Sequence, residues 1–469
     1  MVDRTGSRGR RVVHPGTCGT ERATEQAPVP GRTSAQAVVT RVDPLNRRGG
    51  TEGLPDQPVA AWPPSFPAGV AWDGRPATPA AVRVEDVTES IEVSERQHDT
   101  VSPSSTTPAR EDVPTPGAAA PGPTASSAVT TAPAVGTPAP TAGAAVVLVN
   151  LGTPEAPTAK AVRPFLREFL SDRRVIETHP LLWRPVLEGI ILRVRPRDSA
   201  RKYASIWMPE GSPLMHWSRR QVEDLQDALG EDVRVRVAMR YGEPALRDVL
   251  TDLYDQGVRR VLVLPAYPQY AASSAGTVID EVARWTLQAR DQLEVRTVRS
   301  FPDSPVYVEA LARALEGHWA EQGRPDFAAG DRLVTSFHSI PRAMHDAGDP
   351  YRSECETTAR LLRERLGVDE GGLLVRFQSV FGPAEWIGPA TIDTMGELGR
   401  GGTRRVDVIC PGFMADCLET LEEINILNRE TFLEAGGQEY HYVPWANESA
   451  GCVATLEEQA RRGLSGWVA

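Results

Sequence analysis

PALRDVLTDLYDQGVRRVLVLPAYPQY, residues 244–270, and PATIDTMGELGRGGTRRVDVICPGFMAD, residues 389–416, decide the fold. Both begin Pro-Ala. Each has a leucine nine residues later, Leu253 and Leu398, then a glycine and Arg-Arg-Val. In the first, Leu246, Val249, Leu250 and Leu253 share one face at helical spacing. Each helix feeds a short apolar strand, 260–264 and 405–410, ending in a proline closely followed by an aromatic. Two copies of one βα plan predict two similar doubly wound halves with a cleft between them. LVNLGTP (148–154) and TSFHSIP (335–341) also correspond, each a strand stopping in a proline-bearing loop. His338 then occupies the place that Leu151 has in the first copy.

Outward from these copies, strands and helices alternate, the pattern of an α/β fold with parallel sheets flanked by helices. Strands are expected at 145–150, 234–239, 260–264, 296–299, 333–337, 374–378 and 405–410. A helix over 160–171 places Val162, Phe165, Leu166, Phe169 and Leu170 on one side. Residues 1–143 are rich in Pro, Ala, Thr, Ser and Gly, too poor in apolar surface to offset chain entropy, and are expected to be a disordered extension. The first Rossmann-like domain is assigned to 144–290 and the second to 291–445. A C-terminal helix within 446–469 is expected to pack back on the first.

Bulk properties exclude several classes. A formal charge of −11 over 469 residues argues against nucleic acid as a partner. Cys18, Cys355, Cys410, Cys417 and Cys452 form no CxxC, which fits a reducing compartment and a cytoplasmic location. No apolar run approaches the ~18 residues of a membrane span, and the N-terminus lacks the apolar core of a secretory signal. Only Lys160 and Lys202 are lysines among 51 basic residues, and neither follows a phosphate-loop glycine pattern. That excludes a Walker-type NTPase and disfavours Schiff-base chemistry. A nucleotide-binding Rossmann protein is disfavoured too, since AVVLVNLGTPEAP supplies a single glycine after the first strand.

Two constellations carry chemistry. His338 ends an apolar strand, where open α/β sheets collect ligands. The plain alternative is a loop histidine held by hydrogen bonds. In CPGFMADCLETLEEINILNRETF (410–432), Asp416 sits as an N-cap with Glu419 three residues on, a capping-box spacing. Asp416, Glu419 and Glu423 fall on one helical face. A solvated face, with acids complementing the helix dipole, is the plain alternative. A histidine opposite a row of carboxylates suits proton removal or transient handling of a hard cation. The absence of HExxH or a clustered His/Cys set argues against a closed zinc site.

In these residues the chain resembles the ferrochelatase family, class II chelatases. The likeness runs in order through VNLGTPEAP, FLSDRRVIE, YASIWMPEGSPL, VLPAYPQYAASSAG, SFHSIP, GDPYRSEC, FQSVFGPAEWIGP and CPGFMADCLETLEEI, and covers nothing before residue 144. The resemblance implies two Rossmann-like domains around a porphyrin cleft and insertion of Fe²⁺, as substrate, into a porphyrin. It makes His338 and Glu419 the catalytic and metal-handling pair, with His338 either accepting pyrrole protons or presenting iron. Asp416 and Glu423 continue an acidic path. Leu151, Tyr241, Trp386 and Phe413 would line the porphyrin pocket, with core packing as their plain alternative. LLWRPVLEGIIL (181–192) matches the family's apolar lip, which would contact porphyrin and could touch a membrane surface. Members acting on coproporphyrin typically carry Tyr in the first loop, where this chain has Leu151. That favours protoporphyrin IX over coproporphyrin III. No tightly bound cofactor is expected, and no [2Fe–2S] cluster, because no recognisable ligand spacing is present. A non-catalytic tetrapyrrole carrier is the alternative from another class. It would have no need of a base opposite carboxylates.

Overall fold

The computed structural model describes residues 143–468 apart from 381 and 383. The extension expected over 1–143 lies outside the described residues save for Gly143. Strand β1, Ala144–Gly152, is apolar without alternation because both of its faces are covered. Ala144, Val146 and Leu148 point into one core, and Ala145, Val147 and Val149 into another. Next come helix α1, Ala159–Ser171, capped where Thr158 Oγ1 accepts from Ala161 N, then α2, Pro180–Val186. A π-helical turn at Leu187–Ile191 carries α2 into α3, Leu192–Ile206. Helix α4, Pro213–Leu229, leads to β2, Val233–Tyr241. Helix α5, Leu246–Asp255, then feeds β3, Arg260–Pro265, as the helical spacing predicts.

The strand expected at 296–299 as part of the second half is instead β4, Glu294–Thr297, and it pairs in parallel with β3. The first domain therefore extends past the expected boundary at 290. The reason is topological: helix α6, Thr277–Gln288, returns the chain so that one more strand adds to the open edge of β3. The first sheet has the order β2-β1-β3-β4, all parallel.

The second half repeats this plan. Helix α7, Pro305–Gln322, starts behind a Ser304 cap and leads to β5, Arg332–His338. The short helix α8, Arg342–Asp346, and α9, Tyr351–Leu366, precede β6, Leu373–Gln378. Helix α10, Thr391–Arg400, feeds β7, Arg405–Ile409. A π-helix, Glu419–Asn428, runs into α11, Arg429–Glu434, and β8, Glu439–Tyr442, closes the sheet. The order is β6-β5-β7-β8, again parallel, so β1 and β5 hold equivalent central places. Strand β8 is a four-residue edge strand that the sequence did not announce.

Helix α12, Ala450–Leu464, begins at Ser449, whose Oγ accepts from Cys452 N at 3.1 Å. Its Leu456, Ala460 and Leu464 share a core with Val146, Leu148 and Leu262 of the first half and Leu311 and Leu315 of α7. Arg296 Nη1 ties the helix end down by donating to the Gly463 and Ser465 carbonyls, each at 2.8 Å. One core thus spans both halves and holds the two sets of strand ends in fixed relation. Among the described residues, no helix is long and apolar enough to cross a membrane.

Candidate active site

His338 is the last residue of β5. Its Nδ1 lies 2.6 Å from the Ser339 carbonyl oxygen. A carbonyl only accepts, so Nδ1 carries the proton and Nε2 of the neutral ring is left with a lone pair. Neighbouring bonds hold this loop: Ser339 N donates to the Gln378 carbonyl at 2.8 Å, and Ser339 Oγ to the Ile387 carbonyl at 2.7 Å. Trp386 belongs to the same loop pair, bridged antiparallel to Pro341.

Strand β6 lies beside β5, with Gln378 level with His338. Gln378 is buried and acts as a strut. Its Oε1 accepts from Ser336 Oγ at 2.8 Å, and its Nε2 donates to the Glu419 carbonyl at 2.8 Å. The start of the π-helix is thereby fixed to the strand beside His338. Ser379, one residue on, adopts φ of 66°, the left-handed region that L-residues rarely visit. There it turns both donors onto one carboxylate: its N–H meets Glu423 Oε1 at 2.6 Å and its hydroxyl meets Oε2 at 2.5 Å. Burial pushes the Glu423 carboxyl above its ordinary range; the Ser379 donors and the nearby His338 act against that, and the charge of Glu419 adds to it. Glu423 therefore has both His338 and Glu419 as neighbours.

Glu419 also faces the first half. Burial raises the Tyr203 phenol well above its ordinary value, and the charge of Glu419 reinforces the effect. Tyr267, just beyond β3, is raised in the same way, first by burial, with a smaller contribution from Glu419. The Tyr267 hydroxyl is buried and has no hydrogen-bond partner. Leu418, next to Glu419, packs against the apolar cluster that includes Leu151, Trp183, Leu187 and Trp207. Lys202 on α3 reaches Glu422 at 3.0 Å. An acid–base group from the second half thus abuts an apolar wall from the first.

The ferrochelatase family model matches residues 143–464. The chain belongs to the ferrochelatase family. It is 50% identical over 319 residues to a ferrochelatase of Dechloromonas aromatica strain RCB, covering 67% of this chain and 86% of that one. A ferrochelatase of Chromobacterium violaceum is 50% identical over 320 residues, with the same coverage of both. Among solved structures, the cobalt complex of the sirohydrochlorin chelatase SirB from Bacillus subtilis subspecies spizizenii aligns at a TM-score of 0.41 and 12% identity. That alignment covers 69% of this chain and 96% of the other. Family membership makes the chain a metal chelatase whose substrates are a tetrapyrrole and a metal ion.

Not every expected site residue of this ferrochelatase meets at His338. The Asp416 carboxylate accepts from Thr420 Oγ1 at 2.7 Å, Tyr442 Oη at 2.5 Å and Asn447 Nδ2 at 2.8 Å. Tyr442 and Asn447 tie it to β8 and to the segment before α12, and Thr420 to its own helix. The capping box read from the sequence is also absent: Thr420 Oγ1 accepts from Cys417 N at 3.0 Å, and Asp416 braces Thr420 instead. The helix that follows is π rather than α, with i→i+5 bonding. Glu419 and Glu423 still stay together, because four residues fall just short of one wide turn. Tyr241 has no exposed surface; its ring meets Phe169 edge-on at 5.2 Å and its hydroxyl donates to Asp172 Oδ2 at 3.1 Å. It supports the apolar wall from behind. Leu151 and Phe413 are half-buried, and Phe413 packs against a cluster in which Leu214 of α4 meets Ala415 and Cys417, bridging the halves.

The lip at 181–192 is neither wholly buried nor wholly free. Leu187 and Leu192 sink into the first-half cluster, whereas Leu181 is 77% and Leu182 62% exposed. Three residues central to the geometry were not singled out by sequence reasoning: Gln378, Ser379 and Tyr267. The available signals were a polar pair closing the apolar run LLVRFQS and an aromatic two residues after Pro265, matching Phe413 after Pro411.

Proposed function

We propose that this ferrochelatase inserts Fe²⁺ into protoporphyrin IX to give protohaem (haem b), the last step of haem biosynthesis, as a lyase acting in the cytoplasm. Two pyrrole N–H bonds break, iron–nitrogen bonds form, and two protons leave; iron keeps its oxidation state. His338 Nε2 takes each proton in turn. Glu419 and Glu423 receive the protons and attract the incoming cation. The single observation that carries this reading is the bond between His338 Nδ1 and the Ser339 carbonyl, which in the neutral ring leaves Nε2 as the base, near the Glu423 carboxylate. The upward shift of Glu423 supports it, since a carboxylate that holds protons more readily is a better receiver near neutrality. Asp416 serves the path indirectly, by bracing the first turn of the acidic helix. Leu151, Trp386 and Phe413 contact the porphyrin face, with Tyr241 behind them. The reaction needs no resident cofactor and no [2Fe–2S] cluster.

An apolar Leu151 favours protoporphyrin IX over more carboxylated porphyrins. Leu181 and Leu182, exposed at the lip, suit peripheral contact with a membrane surface from which an apolar substrate is taken. The test is anaerobic Fe²⁺ insertion with protoporphyrin IX and coproporphyrin III side by side. Wild type should turn over protoporphyrin faster, and His338→Ala should lose about 10²–10⁴-fold in rate while still binding porphyrin, the range for a general base. Equal rates in the mutant would remove His338 from the chemistry. Porphyrin binding without metal insertion by wild type would make the protein a carrier.

A further inference from the structure

A second group of metal-ligating side chains lies elsewhere in the second half. His318 on α7, Asp407 on β7 and His441 on β8 bring one ligand atom each to within 4.8 Å of one another. Asp407 and His441 are register partners across the parallel β7–β8 pair, so their side chains leave the same face of the sheet. Helix α7 covers that face and supplies His318, whose ring centroid is 5.0 Å from that of His441. His318 Nε2 is buried and has no hydrogen-bond partner. A buried imidazole nitrogen left unpaired is unfavourable unless something occupies it.

We propose that His318, Asp407 and His441 bind one borderline divalent transition metal ion, such as Zn²⁺, Co²⁺ or Fe²⁺, at a site separate from the His338–Glu419 pair. Asp407 lies level with Leu333, five residues before His338 on β5, so the two sites are about 16 Å apart along the sheet. The outer shell is built. Arg405 donates to Asp407 Oδ1 at 2.8 Å and Oδ2 at 2.9 Å, and Trp319 Nε1 donates to Oδ2 at 2.7 Å. Those three bonds leave one lone pair on Oδ1. Arg405 offsets the carboxylate charge, so affinity rests on the two imidazoles, which selects against Mg²⁺ and Ca²⁺. Strand β8 is the sheet edge, and that gives an ion a short way in. A bound ion would pin α7 to the two outermost strands.

The test uses the full chain carrying His338→Ala and Glu419→Gln, stripped of metal, so that the chelatase site is disabled whatever its role. It is titrated with Co²⁺ alone, read by the visible d–d band, and then with Zn²⁺ to displace it. One equivalent should bind, and adding His441→Ala should weaken binding by more than about tenfold, where outer-shell changes alone begin. Because that substitution also perturbs the core, His318→Gln is measured beside it. Zn²⁺ should raise the melting temperature of the chelatase-disabled chain and lose that effect in His318→Gln. No Co²⁺ band, or equal binding and equal thermal response in the histidine variants, overturns the site.

Discussion

Ser379→Ala isolates the hydrogen bond that most opposes the upward push of burial on the Glu423 carboxyl. The substitution removes the hydroxyl at 2.5 Å from Oε2 and leaves the backbone donor at 2.6 Å from Oε1. Serine and alanine both carry a Cβ, so the cost of the left-handed φ of 66° is unchanged and the lost bond is the main difference. Hydrogen bonds to charged groups contribute about 1.5–3 kcal/mol net. If the hydroxyl favours carboxylate over neutral acid by about 1.5 kcal/mol, the Glu423 pKa rises by about one further unit. The sign follows from the direction of the bond: a donor lost from the charged form makes ionisation harder. If Glu423 must be ionised to draw in iron and accept protons, the acid limb of kcat/KM against pH moves up by about one unit. The plateau at higher pH should change by no more than a few-fold. The assay is Fe²⁺ insertion over a pH series with wild type and variant in parallel. An acid limb that stays in place, or moves down, would refute the claim that Ser379 controls the ionisation of the path.

Tyr267→Phe removes a buried hydroxyl that has no partner, so the ligand-free variant should be as stable as wild type or more stable by about 1 kcal/mol, measured by chemical denaturation. If that hydroxyl meets substrate, the same variant shows a raised KM for porphyrin. Gly152→Ala should destabilise by more than about 3 kcal/mol, because φ is 121° and a Cβ would sit 1.8 Å from the Tyr241 carbonyl oxygen. A melting temperature within a degree of wild type would contradict that close approach. Leu181→Ser with Leu182→Ser should reduce sedimentation with lipid vesicles by at least about tenfold, since each leucine contributes about 1.5–3 kcal/mol when buried in an apolar phase. Insertion into detergent-solubilised porphyrin should change little.

How much of this was legible depends on whether the determining forces were local. Continuous apolar runs such as AAVVLVN can be satisfied only as central parallel strands, so the sheets were readable. The repeated Pro-Ala helix and Arg-Arg-Val strand were readable because duplication doubles a weak signal. Strand β8 was not, because EYHY owes its pairing to the open hydrogen-bonding edge of β7 rather than to its own composition. The β4 boundary failed similarly, since nothing in Glu294–Thr297 says which sheet has a free edge. At the site, His338 and Glu419 stood out because strand ends and acidic runs are sequence features. Ser379 did not: its role lies in a positive φ and in a partner 44 residues away. The π-helix was misread as α because an acidic i, i+4 pair fits both. Asp416 was read as a helix cap, although Tyr442 and Asn447, which claim its carboxylate, are far along the chain.

The duplicated scaffold carries an asymmetric site, and the asymmetry follows from the substrate the family handles. β1 and β5 hold the same central place in their sheets, yet one carries Leu151 where the other carries His338. Two residues beyond the proline that closes β3 stands Tyr267, and two beyond the proline that follows β7 stands Phe413. A flat tetrapyrrole presents two apolar faces and keeps its exchangeable protons in its plane. An enzyme that placed charged groups on both faces would have to desolvate them all whenever the ring entered, at a cost of several kcal/mol per ion. Confining the proposed base and its carboxylates to the second half would limit that cost to one face. In the proposed function the other face would bind by apolar contact, through Leu151 and the cluster it packs against. Metal would reach the ring from the charged side, and the protons would leave by the same side. A histidine at both positions would give two competing bases, so divergence of the two copies at this one position is what the proposed function expects.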